Sequence, residues 1–435
     1  MPIYHLGLDD TDSLKMGCTT YIAALLIERL LKTSSFIDYP NLIRLNPNIP
    51  WKSRGNAAVC LRFESDCDAE ELLGMATEYV EKYRDREDPK NQPGIAICQS
   101  DTVPVGLKTL GKKALSEVVP IEEALNAIGN YNVKYQTIRG GRGIVGALAA
   151  IGNTLEGDHT FELAVYRGKV LWGKKREVDF ESVRRYDSEV GDGSFNNIDP
   201  ESKRLLVTPH GPDPVLFGIR GESPPLLMRA LDIVKFAGGE RWVIYRSNQG
   251  TDAHLSQRRR IGSLKPYMAA VVEGTVCKEP MRIHGGHVIS RLSDGSGEID
   301  VAAYEPSASF RNALAALVQG DAVRAYGGVK VHGQDGITLN LERMEVLDLV
   351  RVKGRNPRCP GCGKSMKSEG KGKGYQCRRC GRKEPANMLD GERKICVGNY
   401  MPPPKAMRHL TKPLKRYGHE KSGWSGPPVV FYGVF

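Results

Sequence analysis

The first 260 residues alternate short apolar runs with segments of helical periodicity. IYHLGL is a run of strand formers, DDTDS interrupts it, and apolar residues then recur at helical spacing from Thr19 to Leu31. This order predicts a strand, an acidic loop and a helix. Two further strands around a Pro-interrupted loop, and helices over 69–82 and 120–127, continue the alternation. The pattern therefore predicts an α/β domain over residues 1–130.

Residues 131–258 keep the alternation but begin differently. RGGRGIVGALAAIG is a glycine-rich loop that enters a helix, and the strands FELAVYRG, PVLFGIRG and RWVIYRSN follow, with the helix PPLLMRALDIV among them. We interpret this stretch as a small α+β sandwich of the split βαβ type. The regular apolar pattern stops at QRRRIGSLKPY, which predicts a linker.

From residue 268 to 350 the apolar period changes to two. Five segments are predicted as strands, with FRNALAALV as a helix between the third and the fourth. This is the order of an OB-fold β-barrel, which binds single-stranded nucleic acid on one face. Another small β-barrel is the alternative.

Four cysteines in the last part, residues 355–435, have the spacing of a metal site. Cys359, Cys362, Cys377 and Cys380 form C-x2-C-x14-C-x2-C, which brings four thiolates round one tetrahedral zinc. The intervening residues are too polar to build a core, so zinc binding would supply the folding free energy. A redox pair or an iron–sulfur cluster is the alternative. The scattered cysteines indicate a reducing compartment, and Cys396 is not expected to be a ligand.

Composition narrows the class of protein. The 435 residues are 40% hydrophobic and 26% charged, which excludes a disordered or fibrous chain. No window resembles a membrane span, and the N-terminus lacks the order of a signal peptide, so we expect a cytoplasmic protein without membrane contact. The net charge is +11, and residues 351–435 hold 20 Lys and Arg against 5 Asp and Glu. This basic end predicts binding to nucleic acid, with a merely solvated tail as the alternative.

An acidic cluster lies where the first strand ends, the edge at which α/β sheets bind ligands. Asp9, Asp10 and Asp12 repel one another unless a cation or hydrogen-bond donors relieve them, which suits Mg²⁺ carrying nucleotide phosphates. A turn that caps the next helix is the alternative. Thr19 and Thr20 follow at the expected helix N-terminus, where a threonine either caps the helix or accepts a phosphoryl group.

Two glycine-containing loops carry cations that could hold phosphates. The first loop contains Lys52, Arg54, Gly55 and Asn56, and the second contains Arg139, Gly140, Gly141, Arg142 and Gly143. Neither is a Walker P-loop. Each alone could be ordinary surface, but with the acidic cluster they predict a site for a triphosphate and its metal. Glu222 and Asp252 lie at strand ends in the second domain and would suit a cationic substrate, unless they are only surface carboxylates.

The order of the motifs resembles a known family. LGLDDTDS, MGCTTY, LIRLNPNIPWKSRGN, NQPG, GRGIVGALAAIG, PVLFGIRGES and CPGCG…CRRCG together resemble the archaeal 2-agmatinylcytidine synthetases that act on the AUA-decoding isoleucine tRNA. The resemblance covers nearly the whole chain. It implies an α+β multidomain protein with a kinase-like ATP-binding domain, a ferredoxin-like domain, an OB fold and a C-terminal zinc ribbon.

The resemblance also implies an activity. Members of the family use ATP and agmatine to replace the 2-oxo group of the wobble cytidine in the CAU anticodon, so that it reads AUA instead of AUG. It implies Thr19 as the phosphorylated threonine, isoleucine tRNA and agmatine as partners, and no obligate protein partner. Glu222 or Asp252 as the partner of the agmatine guanidinium is our own hypothesis. The residues alone predict only a Mg²⁺–nucleotide enzyme acting on nucleic acid.

Two other functions are compatible with parts of the chain. A non-catalytic protein that binds single-stranded nucleic acid would explain the OB fold and the zinc ribbon but not the acidic and glycine loops. A metal-dependent nuclease would use the carboxylates of DDTD.

Overall fold

The computed structural model of the chain contains eight α-helices and 22 strands within its described residues. These residues are 1–13, 17–52, 55–333, 336–352, 356–370, 372–385, 393–424 and 427–435. The first part of the chain forms β1 Ile3–Asp9, α1 Thr19–Leu30, β2 Ser34–Phe36, β3 Asn41–Arg44, β4 Ala57–Ser65, α2 Ala69–Tyr83, β5 Gly94–Gln99, α3 Val105–Ala114, α4 Ile121–Asn126, β6 Val133–Thr137 and α5 Gly143–Gly152. The predicted strand, acidic loop and helix at the N-terminus are therefore confirmed.

The second part continues the same alternation. It forms β7 Thr160–Arg167, α6 Phe180–Val190, β8 Ser194–Phe195, β9 Ile198–Asp199, β10 Arg204–Leu205, β11 Val215–Gly221, α7 Pro224–Ile233 and β12 Gly239–Ser247. The remaining elements are β13 Ala269–Arg282, β14 Val288–Ser293, β15 Glu298–Ala303, α8 Ser309–Ala315, β16 Ala322–His332, β17 Gly336–Asp348, β18 Lys367–Ser368, β19 Tyr375–Gln376, β20 Lys383–Glu384, β21 Gly398–Tyr400 and β22 Tyr432–Val434.

One eleven-stranded sheet runs through the first two parts. Its order is β6-β5-β1-β4-β3-β12-β7-β11-β8, and β2 and β22 pair with β4 and β12. The two halves meet where β3 and β12 pair in parallel, with Arg246 opposite Asn41, while the other described pairings in this sheet are antiparallel. Backbone hydrogen bonds therefore make the two halves one body.

Helices cover both faces of the first half of the sheet, so its strands are buried on both sides. Leu6 and Leu8 of β1 pack with α1 and α2, whereas Cys60 and Ala96 face α3 and α5. α5 packs closely against β1, β4 and β5, and β6 pairs with β5. These elements, residues 133–152, pack with the first half of the sheet, and the domain limit at residue 130 stays a prediction.

The OB barrel is confirmed. Strands β13 to β17 form a sheet that closes through the parallel pairing of β15 with β17, and α8 lies between β15 and β16 as predicted. Its core is separate from those of the large sheet and contains, among others, Val272, Phe310 and Leu339. β21, which follows the cysteine-rich part, adds a strand to β17.

The chain then returns to the large sheet. Residues 402–421, here called the return segment, run from the OB barrel across the first two parts, and β22 finally pairs with β12. Many cations of the return segment are ion-paired inside the protein, including Arg408 with Glu342 and Lys412 with Asp158. These charges are therefore neutralised by the protein itself, which the basic composition of this end did not predict.

Candidate active site

The acidic loop is buried at the end of β1. Asp9 and Asp10 are each 7% exposed, and the Asp9 carboxylate accepts a hydrogen bond from the backbone N–H of Asp10 at 2.7 Å. Burial and then the charge of Asp10 hold the pKa of Asp9 well above its usual value. Burial also raises the pKa of Asp10 to about 6, although Arg142, whose guanidinium lies 3.1 Å from its carboxylate, opposes the shift. Two buried carboxylates with raised pKa values form a site that gains from a bound cation.

Asp12 is hydrogen-bonded to Thr19, the predicted phosphoryl acceptor. Its Oδ1 accepts hydrogen bonds from the Thr19 backbone N–H at 2.6 Å and from the Thr19 hydroxyl at 3.1 Å. Thr19 Oγ1 also lies 3.0 Å from the hydroxyl of Thr11, which is fully buried. The hydroxyl of Thr20 instead lies 3.1 Å from Cys18 Sγ. The two threonines therefore differ, because the Thr19 hydroxyl donates to the Asp12 carboxylate and the Thr20 hydroxyl lies beside Cys18.

Glycines let helix α5 approach the acidic loop. A Cβ on Gly143 would lie 2.7 Å from Asp9 O and 2.9 Å from Asp10 Cβ, and a Cβ on Gly146 would lie 2.6 Å from Asp9 Cγ. All three distances are shorter than real Cβ contacts, so glycine is required at these two positions. The N-terminus of α5 thereby comes directly against the carboxylates, with Arg142 at its first turn.

The first two residues of the second glycine loop, Arg139 and Gly140, lie away from the acidic loop. Arg139 is exposed and donates to the backbone carbonyl of Asp88 at 2.5 Å, and Gly140 lies against the side chain of Gln92. Arg142 and Gly143 line the cleft at the acidic loop, whereas Arg139 and Gly140 do not. Arg142 is therefore the cation of this loop that the fold brings to the site.

A narrow cleft connects the acidic loop with the first cationic loop. Its lining includes the charged residues Asp9, Asp10, Lys52, Glu117 and Arg142 and the apolar residues Leu45, Ile49, Trp51, Val118, Val119 and Val145. Such a mixed lining suits a nucleotide, because apolar side chains can contact the base and cations can contact the phosphates. The cleft holds about 80 Å³, so its walls must move apart to admit a nucleotide.

The first cationic loop is held by its neighbours. Burial and the charges of Arg408 and Arg44 lower the pKa of Lys52. Asn56 adopts a left-handed conformation, with φ of 46°, and its side chain donates to Asn46 O at 2.7 Å. Gly55 leaves room for the Arg44 side chain, and Arg54 lies outside the described residues.

A second cavity of about 430 Å³ is lined by Thr19. Its walls come from the start of α1, strands β3, β7 and β11, the residues between β10 and β11, and the return segment. The charged and polar residues that line it include Asp12, Thr19, Thr20, Arg44, Glu162, Arg220, Lys405, Arg408 and His409. Glu162 lies between Arg44 and Arg220, at 3.7 and 4.0 Å. Sequence reasoning missed the return segment, because nothing local in it indicates a place beside Thr19.

Glu222 and Asp252 do not line either cavity. Arg416 Nε donates to Glu222 Oε1 at 2.5 Å, and Lys421 Nζ lies 2.5 Å from Glu222 Oε2. Asp252 accepts from Arg343 at 2.7 Å and from the backbone N–H of Lys412 at 2.7 Å. These two carboxylates fasten the return segment to the second half of the sheet and to the OB barrel.

The four predicted cysteines meet in one cluster. Their Sγ atoms all lie within 4.8 Å of one another, and no other group of three or more possible ligand side chains meets this condition in the described residues. The backbone N–H groups of Cys380 and Arg379 lower the pKa of Cys377 to about 6, which favours the thiolate that zinc needs. Four converging sulfurs, two before β18 and two between β19 and β20, fit a structural zinc ion and bear out the predicted zinc ribbon.

Sequence models of four domains match successive parts of the chain. They are the TiaS TCKD domain over residues 5–75, the TiaS FLD domain over 141–254, an OB-fold nucleic acid binding domain over 270–347 and the TiaS C-terminal zinc ribbon domain over 356–395. The isoleucine tRNA 2-agmatinylcytidine synthetase TiaS of Methanosarcina acetivorans is 40% identical over 421 residues, which are 94% of this chain and 97% of that protein. The chain belongs to the TiaS family.

Solved TiaS structures agree with the fold. The crystal structure of TiaS in complex with isoleucine tRNA and ATP has a TM-score of 0.84 at 38% identity and covers 96% of this chain and 98% of that one. A complex of TiaS with isoleucine tRNA, AMPCPP and agmatine has a TM-score of 0.82 at 37% identity, with coverage of 96% and 98%. The family resemblance and the α+β multidomain fold class are thus confirmed, and the non-catalytic binding protein is not favoured. In the described residues, no helix has the length and apolar character to cross a membrane.

Proposed function

We propose that this TiaS family member is an ATP-dependent tRNA-modifying enzyme. It joins agmatine to C2 of the wobble cytidine in the CAU anticodon of isoleucine tRNA and so changes decoding from AUG to AUA. Near full-length similarity to TiaS proteins supports this function, together with the complexes of relatives with isoleucine tRNA, with ATP or AMPCPP, and with agmatine. A tRNA substrate and reduced cysteines are consistent with a cytoplasmic location.

The observation that carries the proposal is the pair of hydrogen bonds from Thr19 to Asp12. Phosphoryl transfer to a threonine needs a base at its hydroxyl and cations around the phosphates. Asp12 accepts a hydrogen bond from the Thr19 hydroxyl at 3.1 Å, and Arg142 and Lys52 line the cleft at the acidic loop. In our proposal Thr19 accepts the γ-phosphoryl group of ATP while its proton passes to Asp12.

The buried carboxylates fit a magnesium ion. Asp9 and Asp10 would hold Mg²⁺, because their raised pKa values show that ionisation is unfavourable without a compensating cation. When bound, the ion would neutralise charge on the β- and γ-phosphate oxygens. Lys52, Asn56, Arg142 and Gly143 line the cleft and form the phosphate site in this proposal, with Gly55 next to Asn56 in the chain, whereas Arg139 donates to the Asp88 carbonyl.

Phosphoryl transfer also makes O2 of the cytidine a leaving group. In our proposal ATP supplies the phosphoryl group for O2, which prepares C2 for attack by the primary amine of agmatine, and phosphate departs as the C2–O bond breaks. The second cavity is lined by Thr19, and its volume of about 430 Å³ lies in the range of sites for small molecules or a flipped base. Glu222 and Asp252 are poor candidates for the agmatine guanidinium, because each carboxylate already binds cations of the protein.

The remaining domains serve tRNA recognition. Every tRNA presents similar phosphates, and other tRNAs share the CAU anticodon, so selection requires contacts away from the reacting base. The OB barrel and the zinc ribbon are suited to supply these contacts. Lys364, Lys367, Lys373, Arg378 and Arg379 are the ribbon cations that compose its basic surface.

Transfer of radiolabelled agmatine tests the function. Isoleucine tRNA with a CAU anticodon, transcribed in vitro, is compared with the initiator and elongator methionine tRNAs, with and without ATP and Mg²⁺. We expect ATP-dependent label on the isoleucine tRNA alone. Absence of label, with tRNA bound and ATP unconsumed, would refute the proposal.

Two isosteric variants test the phosphoryl acceptor. Thr19→Val removes the hydroxyl bonded to Asp12, whereas Thr20→Val removes the one beside Cys18. With γ-labelled ATP, we expect Thr19→Val to lose label on the protein and most agmatine transfer, and Thr20→Val to keep both. The reverse result would assign the acceptor to Thr20.

A further inference from the structure

The return segment holds one histidine rigidly in the wall of the second cavity. The carbonyl of His409 accepts from the backbone N–H of Gly250 at 2.8 Å, and that of Leu410 accepts from Asp252 N–H at 2.8 Å. Leu410 is 1% exposed, and Arg408 on the other side is bonded to Asn48 Oδ1 at 3.0 Å. Residue 409 therefore has a fixed backbone with anchors before and after it.

The His409 ring faces the second cavity. Its side chain is exposed and lines the cavity together with Thr19, and its Nε2 lies 3.9 Å from where a Cβ on Gly55 would be. Within the part of the chain that the structure describes, no hydrogen bond to either ring nitrogen is formed. A fixed backbone, a ring in the cavity and two available nitrogens are the geometry of a group that meets substrate.

Cations surround the ring. The charge of Arg44, the enclosing walls of the cavity, and the charges of Arg220 and Lys52 hold the pKa of His409 well below its usual value. The imidazole is therefore neutral in the free protein and can accept a proton. A phosphate bound at these cations would compensate their charge and raise the proton affinity of the ring, so its basicity increases when the phosphorylated substrate is present.

The other titratable groups of the cavity are engaged. Asp12 is bonded to Thr19, and Glu162 lies between Arg44 and Arg220. Asp213 accepts from Arg176 at 3.1 Å, and the ring of His210, which also lines the cavity, is hydrogen-bonded to Arg204. Amine displacement on C2 requires a group that removes a proton from nitrogen, and these three carboxylates are already committed to cations or to Thr19.

We propose that His409 is the proton shuttle of the agmatine-transfer step, an inference that rests on the proposed function. The amine nitrogen forms a bond to C2 of the O2-phosphorylated cytidine, and the C2–O bond breaks. One ring nitrogen of His409 takes the proton that the amine nitrogen releases and gives it to the departing phosphate. The neutral amine and the phosphorylated base, a cationic ring with a dianionic phosphate, thus become a cationic agmatinyl base and a dianionic hydrogen phosphate, so that atoms and charge balance.

Variants on the return segment test this role. His409→Ala removes the ring, and His419→Ala makes the same change at an exposed histidine of the same segment that does not line the cavity. Single-turnover transfer of labelled agmatine is measured for both, with tRNA affinity and binding of a fluorescent ATP analogue as controls. We expect His409→Ala to transfer about 10²–10⁴-fold more slowly, with both affinities unchanged, and His419→Ala to match wild type.

Added imidazole separates a chemical role from a structural one. It should restore part of the rate of His409→Ala, with a pH dependence that follows the neutral fraction of imidazole, and should not affect wild type. Wild-type transfer by His409→Ala would overturn the assignment, as would a combined loss of tRNA affinity and transfer without rescue. If wild type itself transfers no agmatine, the proposed function fails instead.

Discussion

The contact between Gly146 and Asp9 yields a quantitative prediction. A Cβ at position 146 would lie 2.6 Å from Asp9 Cγ, whereas ordinary contacts begin at 3.4 Å. In Gly146→Ala the carboxylate must therefore retreat by about 1 Å, because α5 is packed against the sheet and cannot yield as a whole. A misplacement of about 1 Å at a reacting centre costs roughly 10²-fold in rate, or about 2.7 kcal/mol.

Single-turnover agmatine transfer and thermal unfolding together check this expectation. Gly74→Ala is the matched control, since Gly74 also lies in a helix but a Cβ there would contact nothing within 4 Å. It should keep the wild-type rate and raise stability by about 0.5–1 kcal/mol. If folded Gly146→Ala kept more than half of the wild-type rate, the position of the Asp9 carboxylate would not matter to the reaction.

Two further predictions concern the ribbon and pH. Removal of the metal by a chelator, or Cys377→Ser, should unfold residues 356–385, because the metal holds the four cysteines together. The affinity for tRNA should fall, and ATP binding should not change. Equal tRNA affinity after verified zinc loss would contradict the assigned role of the ribbon. Burial and the charge of Arg62 lower the pKa of His5 to about 3, whereas the pKa of a histidine in the unfolded chain is about 6.5. The unfolded chain therefore takes up the proton first, so the contribution of His5 to the free energy of unfolding is complete above about pH 6.5 and is lost as pH falls toward about 3. At pH 5 the free energy of unfolding should be lower by about 2 kcal/mol. The drop in melting temperature between pH 7.5 and 5 should therefore be smaller in His5→Gln than in wild type, and an unchanged drop would refute this role of His5.

Local patterns predicted the parts of the site that lie close together in sequence. Asp12 and Thr19 are seven positions apart and meet because one loop leads into one helix. The cysteine spacing likewise predicted a cluster that needs only two short turns. The OB barrel was predictable because its strands follow one another and pair largely with their neighbours.

Pairings between distant segments were not predictable from one sequence. Glu222 and its partner Arg416 are 194 positions apart, so an isolated carboxylate at a strand end looked available when it is ion-paired. The parallel pairing of β3 with β12 joins two parts that the alternation pattern presents as separate domains. Arg139 and Arg142 have the same local chemistry, and only the packing of α5 decides which one faces Asp10.

The return segment also sets an order of events during translation. Asn48 leaves the ribosome 360 residues before its partner Arg408, and the wall that carries His409 is made after the zinc ribbon. The acidic loop and the cations of the first cleft are therefore synthesised before the return segment that completes the cavity beside Thr19. An unfinished chain has the residues of the proposed phosphate site but lacks one wall of the cavity proposed for the base.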